Sequence, residues 1–272
     1  MSNDQPVYQQ LRGYLAHLRL TAAADKLAEH LDHAQQAKPS YTAFLNDLLR
    51  VEVDATEQRR RDGRLRLAGF PHHKPLEDFD YDAQPGLDRR LVDELATLRF
   101  LDSKSNALFI GPPGVGKTTL AIGLGLKAID AGYRVYYTTA ADLVTRTAKA
   151  IHDGRWATTM RFWNGPQLLL IDELGYLPLQ DEAANYLFHV VSRRYEHGSI
   201  ILTTNRGIAD WGAIFPDTVV ATAILDRLLH HATVVTINGP SYRMRRHQTR
   251  LDQLRDGLAD PRSPPLKGGE FA

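Results

Sequence analysis

Cysteine is absent from this 272-residue chain. That excludes disulfides, thiolate zinc sites and cysteine nucleophiles, and it is compatible with a cytoplasmic protein. Long hydrophobic runs are missing too. Nothing approaches the ~20 apolar residues that span a bilayer, so no membrane partner is expected. Met1 to Gln10 carries no basic stretch followed by an apolar core, so no secretion signal is expected. Charge of one sign is also lacking: 33 Lys and Arg stand against 32 Asp and Glu, a formal net charge of +1. That balance neither demands nor excludes a nucleic-acid partner, because local arginine clusters matter more than the sum. The histidine pairs His72-His73 and His230-His231 show no HExxH-type spacing. Neighbouring side chains are expected to diverge, so no histidine metal site is expected. No Gly-x-Ser-x-Gly nucleophile elbow and no internal repeat occur.

What remains is an ordinary globular composition, 43% hydrophobic and 24% charged, long enough for one sizeable core and a smaller module. Leu11 to Arg60 has helical periodicity, with no glycine between Tyr14 and Asp62. It becomes basic at Arg59, Arg60, Arg61, Arg64 and Arg66, which reads equally as a solvated helix end or a contact surface. Pro71, Pro75 and Pro85 mark Ala68 to Pro85 as a linker or an extended wrap. Leu87 to Leu101 reads as a helix. From there strand and helix patterns alternate. The strands are Ala107–Ile110, Arg134–Thr139, Gln167–Ile171, Ser199–Thr204 and Ala232–Ile237. The helices are Lys117–Ala131, Ala141–His152, Asp181–His197 and Thr218–His231. That order predicts an α/β fold, a parallel sheet with helices on both faces, behind a small all-helical module. The expected division is 1–66 helical module, 67–100 linker and pre-core helix, 101–247 core. The tail 248–272 is expected to be largely disordered, with three prolines and two glycines in its last thirteen residues.

Gly111-Pro112-Pro113-Gly114-Val115-Gly116-Lys117-Thr118 fits the phosphate-loop pattern G-x-x-x-x-G-K-[ST]. A strand precedes it and a helix follows. The glycines let backbone N–H groups approach a polyphosphate, and the helix N-terminus favours negative charge. Lys117 is placed to reach the β- and γ-phosphates, and Thr118 to offer its hydroxyl to Mg²⁺. Leu168-Leu169-Leu170-Ile171-Asp172-Glu173 ends an apolar strand in two acids, about fifty-five residues after the loop. Asp172 falls at the strand edge where ligands of α/β sheets bind, suited to Mg²⁺ directly or through water. Glu173 can polarise an attacking water as general base. Asn205, at the end of the next strand, can orient that water or merely form a turn. Arg227 and Arg243 can face a transferring phosphoryl group, or serve in surface salt bridges.

Together, Ala68-Gly69-Phe70-Pro71, Leu76-Glu77-Asp78-Phe79-Asp80, Gly111 to Thr119, Ile171 to Tyr176, Arg194-Tyr195-Glu196, Thr203-Thr204-Asn205-Arg206 and Ser241-Tyr242-Arg243 are similar to the IstB family. Those are AAA+ P-loop ATPases that help insertion sequences transpose, related to the DnaC helicase loaders and DnaA initiators. The resemblance covers about residues 5 to 247. It implies ATP and Mg²⁺ as cofactors, a Walker A loop at Gly111 to Thr118 with Thr119 towards the α-phosphate, and Walker B at Asp172 and Glu173. It further implies sensor 1 at Asn205, an arginine finger at Arg227 reaching a neighbouring subunit's nucleotide, sensor 2 at Arg243, and a reduced C-terminal lid. Arg206 and Arg194 stay open for the finger role. The linker around Phe70 to Asp80 is implied to pack near the adenine. The implied partners are double-stranded DNA, a cognate transposase and further copies of the chain, the N-terminal module contributing to assembly and partner contact. A helicase loader is the alternative with the same core. A nucleotide-dependent scaffold without hydrolysis is disfavoured by Glu173. A small-molecule kinase is disfavoured because no acceptor pocket or lid is legible.

Overall fold

Three helices come first: α1 (Asp4–His17), α2 (Thr21–Ala37) and α3 (Tyr41–Ala68). The computed structural model describes residues 4–176, 181–215, 217–242 and 244. The chain divides into two compact units, 1–64 and 65–272. In the first, Leu15, Ala23, Ala24, Leu27 and Leu48 form a small core. Buried Glu52 accepts from Ala23 N at 3.1 Å and from Arg59 at 2.7 Å. Burial pushes its carboxyl up, but these donors outweigh that and hold it below the ordinary glutamate range.

The second unit begins with the wrap, whose one helical turn is Leu76–Asp78. The single helix expected over Leu87 to Leu101 is instead two, α4 (Arg89–Ala96) and α5 (Arg99–Asp102). Leu98 breaks it by adopting φ +63, and its side chain stays buried. Burial of that side chain offsets the strain of a left-handed non-glycine residue. Then come β1 (Asn106–Ile110), α6 (Lys117–Asp130), β2 (Val135–Thr139), α7 (Ala140–His152), α8 (Trp156–Asn164), β3 (Leu168–Leu174), α9 (Asp181–Arg194), β4 (Ser199–Thr204), a 3₁₀ segment (Ile208–Ala213), α10 (Thr218–Leu229) and β5 (Ala232–Thr236). The sequence pattern does not reveal α8, and it stops β3 three residues early.

All five strands are parallel, in the order β2-β3-β4-β1-β5. Successive residues of a strand face opposite sides. Ala107, Phe109, Leu168, Leu170, Ile201 and Val235 join the core under α4, α5 and α6. Leu108, Leu169, Ile171, Ile200 and Leu202 join the core under α7, α8, α9 and α10. The strands are therefore apolar on both faces, which is why they read as continuous hydrophobic runs. On α6 two glycines admit the wrap. A Cβ on Gly125 would sit 2.7 Å from Phe70 Cζ, and one on Gly123 3.0 Å from Leu76 Cα. Phe70 in turn packs edge-on against Tyr137, with ring centroids 6.3 Å apart.

Two polar side chains fasten the end of the sheet where β1 begins. Asn106 donates to Leu228 O at 3.0 Å and accepts from Ile200 N at 2.9 Å, joining β1, β4 and α10. Arg194 is 1% exposed. It donates to Trp163 O (2.7 Å), Pro166 O (3.0 Å), Gln167 O (3.1 Å) and Ser199 O (2.8 Å). Burial pushes its guanidinium down to about 10, so it stays charged at neutral pH. Arg194 is thus a fastener of the β3 and β4 entrances. Its place as a candidate finger is corrected: a side chain enclosed by four carbonyls cannot reach another molecule.

Arg194→Met keeps the volume but takes the guanidinium donor from four carbonyls, of which Gln167 O still accepts from Ser199 N. It is expected to destabilise the chain by about 3 kcal/mol or more, measured as a lower urea midpoint. An unchanged midpoint would show that the guanidinium is not needed there.

Candidate functional site

The phosphate loop is fixed at both flanks. Gly111 N donates to Thr204 O (3.2 Å), and Tyr242 N donates to Gly114 O (2.9 Å). Gly114 (φ +83) and Gly116 (φ +100) take left-handed conformations that other residues rarely adopt. A Cβ on Gly116 would also lie 2.6 Å from Phe79 Cε2, and one on Gly114 would strike Ser241. The loop then opens α6 at Lys117, presenting the helix N-terminus. Lys117 is buried and folds back over its own loop, with Nζ donating to Gly111 O (2.7 Å) and Pro112 O (2.9 Å).

Asp172 is the second part. It is 4% exposed, and hydroxyls from three elements converge on it. Thr118 of α6 lies 2.9 Å from Oδ1 and 3.0 Å from Oδ2. Tyr137 of β2 donates to Oδ2 at 2.8 Å, and Thr203 of β4 donates to Oδ1. Burial, with the Asp172 charge and its hydrogen bond adding, pushes the Tyr137 phenol far above its ordinary range, so it remains a donor.

Glu173 sits where β3 bulges. Ile171 pairs with Leu202, yet Leu174 pairs with Thr204, so β3 carries one residue more than β4 across that interval. Glu173 absorbs it with φ +63, its N–H donating to Thr203 Oγ1 at 3.0 Å. A bulge re-aims a side chain beside a site. Here it leaves Asp172 buried and turns Glu173 into the cleft. That cleft encloses about 720 Å³ of space, including what is open to solvent. Its lining includes Lys74, Phe79, Gln84, residues Gly114 to Thr119, Glu173 and Tyr242. His72, next to Lys74, lies below its ordinary range through burial and the charges of His73 and Lys74, against an upward pull from Asp172. The wrap therefore passes over the site.

Gly111 to Gly116, Lys117, Thr118, Thr119, Asp172 and Glu173 come together as the spacing predicts. Asn205 follows β4 two residues after cleft-lining Thr203, and its Oδ1 is buried without a hydrogen-bond partner. Arg227 is not brought to this cleft. It lies on α10, its guanidinium 5.0 Å from the Phe188 ring centroid and bonded to Ala223 O at 3.0 Å. Its carbonyl neighbour Leu228 O holds Asn106, at the start of β1, whereas the loop follows the end of β1. Exposed Arg206 lies against Gly175. Arg243, the expected lid and the tail 248–272 lie outside the described residues. Sequence reasoning missed Tyr137, Lys74 and Gln84. The first could have been found as a hydroxyl two residues from the C-terminal end of β2, the ligand edge of such sheets.

The residues fit a nucleoside triphosphate with Mg²⁺. Gly114 to Thr119 line the cleft where α6 opens, and a helix N-terminus favours the negative charge of a polyphosphate. Thr118 and Asp172 are two hard oxygen donors already in contact, the set Mg²⁺ takes. Asn205, two residues after cleft-lining Thr203, has an unmet polar atom.

A parallel sheet with such a loop between a strand and a helix defines the class of P-loop nucleotide-binding proteins. A model of the family described as IstB-like ATP binding protein matches residues 13–250, so the chain belongs to that family. It is 41% identical over 91% of its length to the protein described as ATP-binding in insertion sequence IS5376 of Geobacillus stearothermophilus, covering 99% of that relative. It is 43% identical over 96% of its length to the corresponding IS21 protein of Pseudomonas aeruginosa, covering 97% of it. AMPPCP-bound DnaA from Aquifex aeolicus is similar in fold alone. There the TM-score is 0.52 and identity 23%, over 69% of this chain and 57% of that one. No described helix is long and apolar enough to cross a membrane.

Lys117→Ala removes the charged donor to the phosphates. It is expected to weaken ATP binding about 10- to 100-fold, read by equilibrium titration with a fluorescent ATP analogue. Equal affinity in the variant would take Lys117 out of the binding site.

Proposed function

We propose that the chain is an ATP-hydrolysing helper of DNA transposition, acting in the cytoplasm. It assembles as an oligomer on double-stranded target DNA and recruits and stimulates a transposase. The observation that carries the ATPase reading is the contact of Thr118 with Asp172 beside the outward-turned Glu173. In this reading the loop N–H groups and Lys117 bind the phosphates. Thr118 and Asp172 hold Mg²⁺, which offsets charge on the β- and γ-oxygens when bound. Glu173 takes the proton of the attacking water, and Asn205 orients that water. Transposition, rather than another task of the same core, is favoured by the relatives, which are named for insertion sequences. Helicase loading is the competing use of this core, and partner capture separates the two.

Arg227 acts in this scheme on the nucleotide of a second copy. Its position near the start of β1 supports that, because the strand alone separates it from its own loop by about 13 Å. ATP then bridges two subunits, and loss of the γ-phosphate loosens them. For DNA, β2 and α7 present an open groove with Arg146, Lys149, Thr145 and Tyr136 in its lining. The Arg146 guanidinium lies 3.9 Å from the Phe162 ring centroid. Basic groups of this kind bind phosphates with weak sequence preference and strong salt dependence.

Glu173→Gln is expected to bind ATP but turn it over at least about 100-fold more slowly, the usual worth of a positioned base. Light scattering should then show ATP- and DNA-dependent oligomers that persist. Mixing Arg227→Ala with Lys117→Ala should restore part of the turnover each lacks alone. A mixture as inactive as its components would show that Arg227 does not act across subunits. Assembly indifferent to both ATP and DNA would sink the whole scheme, and a helicase captured in place of a transposase would redirect it.

A further inference from the structure

Two histidines that the ATPase leaves unused meet a carboxylate. Glu196 lies in the turn between α9 and β4, and His230 and His231 lie in the turn between α10 and β5. Both turns belong to the sheet end where β1 begins, since Asn106 N donates to His231 O at 2.7 Å. The expected divergence of the adjacent histidines is corrected here. The chain turns out of α10 between them, and their ring centroids are 4.0 Å apart at 47°. Glu196 approaches from the other turn with a left-handed φ of 60°. One ligand atom each from Glu196, His230 and His231 lies within 4.8 Å of the others, and all three residues are exposed.

A second feature fits a metal. The Tyr195 hydroxyl is 2.7 Å from His230 Nδ1. An outer hydrogen bond to one ring nitrogen orients the imidazole and leaves the other, Nε2, free for a cation. Ligand atoms around a tetrahedral Zn²⁺ stand about 3.4 Å apart. Exposed side chains can close the remaining difference by small rotamer changes. Two imidazoles and a carboxylate suit Zn²⁺ better than Mg²⁺ or Ca²⁺, which take oxygen ligands.

We propose that Glu196, His230 and His231 bind a first-row divalent cation, Zn²⁺ fitting best, with water as fourth ligand. The Glu196 carboxylate offsets the charges of Lys104 and Arg227, which share the adjoining recess. The bound ion ties the turn after α9 to the end of α10, the helix that carries Arg227. The site stands at the far end of the sheet from the nucleotide cleft and does not depend on the function proposed above.

The test uses full-length, tag-free protein stripped with chelator, in millimolar Mg²⁺ without nucleotide. Zn²⁺ is titrated against a chromophoric competitor. The expected result is one equivalent bound, weakened at least about 10-fold in His230→Ala, His231→Ala and Glu196→Gln. The double variant His72→Ala/His73→Ala should bind as the parent does. Co²⁺ added to the parent should give the intense visible absorption of a tetrahedral centre, lost in His231→Ala. Circular dichroism checks that each variant is folded. The proposal is overturned if the parent binds no equivalent of Zn²⁺ or gives no tetrahedral Co²⁺ spectrum. It is equally overturned if the folded variants bind as tightly as the parent, or if the loss follows His72 and His73.

Discussion

The buried carboxylate of Asp172 is the constraint around which the rest is arranged. An unpaired charge at that depth would be costly, so it must be compensated. Thr118, Tyr137 and Thr203 supply hydroxyls from α6, β2 and β4. Each of those elements is thereby held in register with β3. Thr118 is the last residue of the phosphate-loop motif, so its contact also ties the loop to β3.

The bulge at Glu173 follows from the same constraint. A strand that continued regularly past Asp172 would send the next side chain to the opposite face, into the core under α7 to α10. Glutamate cannot be accommodated there without a partner. One added residue, with its N–H on Thr203, resolves the conflict. Leu174 returns to the core at 0% exposure, and Glu173 faces the cleft. The left-handed φ of Glu173 is therefore strain kept at the edge of the cleft, compensated by the buried residues on either side.

Much of this was legible in the chain because it rests on local pattern. Strands apolar on both faces, a glycine loop opening a helix, and an acid ending a hydrophobic run are short-range signals, and the parallel sheet follows from them. What the pattern could not give depends on distant pairing. Tyr137 reads as one more strand aromatic until β2 pairs with β3 and brings its hydroxyl to Asp172. Arg194 reads as a free cation on a helix end until α9 packs across four carbonyls. Leu98 looks helical because its break depends on where its side chain is buried, not on a proline or glycine. The two histidines look divergent on a regular element but lie where the helix has already ended. Each miss is a case in which tertiary contact decided a residue's role.

The two ends of the sheet carry different chemistry, and β1 measures the distance between them. At its C-terminal end are the loop, Asp172 and Glu173. At its N-terminal end are Asn106, the end of α10 and Arg227. A parallel strand of five residues is rigid and bonded on both sides, by β4 and β5, so no side-chain rotation brings Arg227 to its own loop. Under the proposed scheme an arginine so placed serves another copy's phosphate, and the offset along β1 is what supports that assignment. Asn106 becomes more than a core residue under this reading. It joins β1, β4 and the end of α10, so it sets where Arg227 stands relative to the loop of its own subunit. In a ring or filament of identical copies that same offset recurs at every interface.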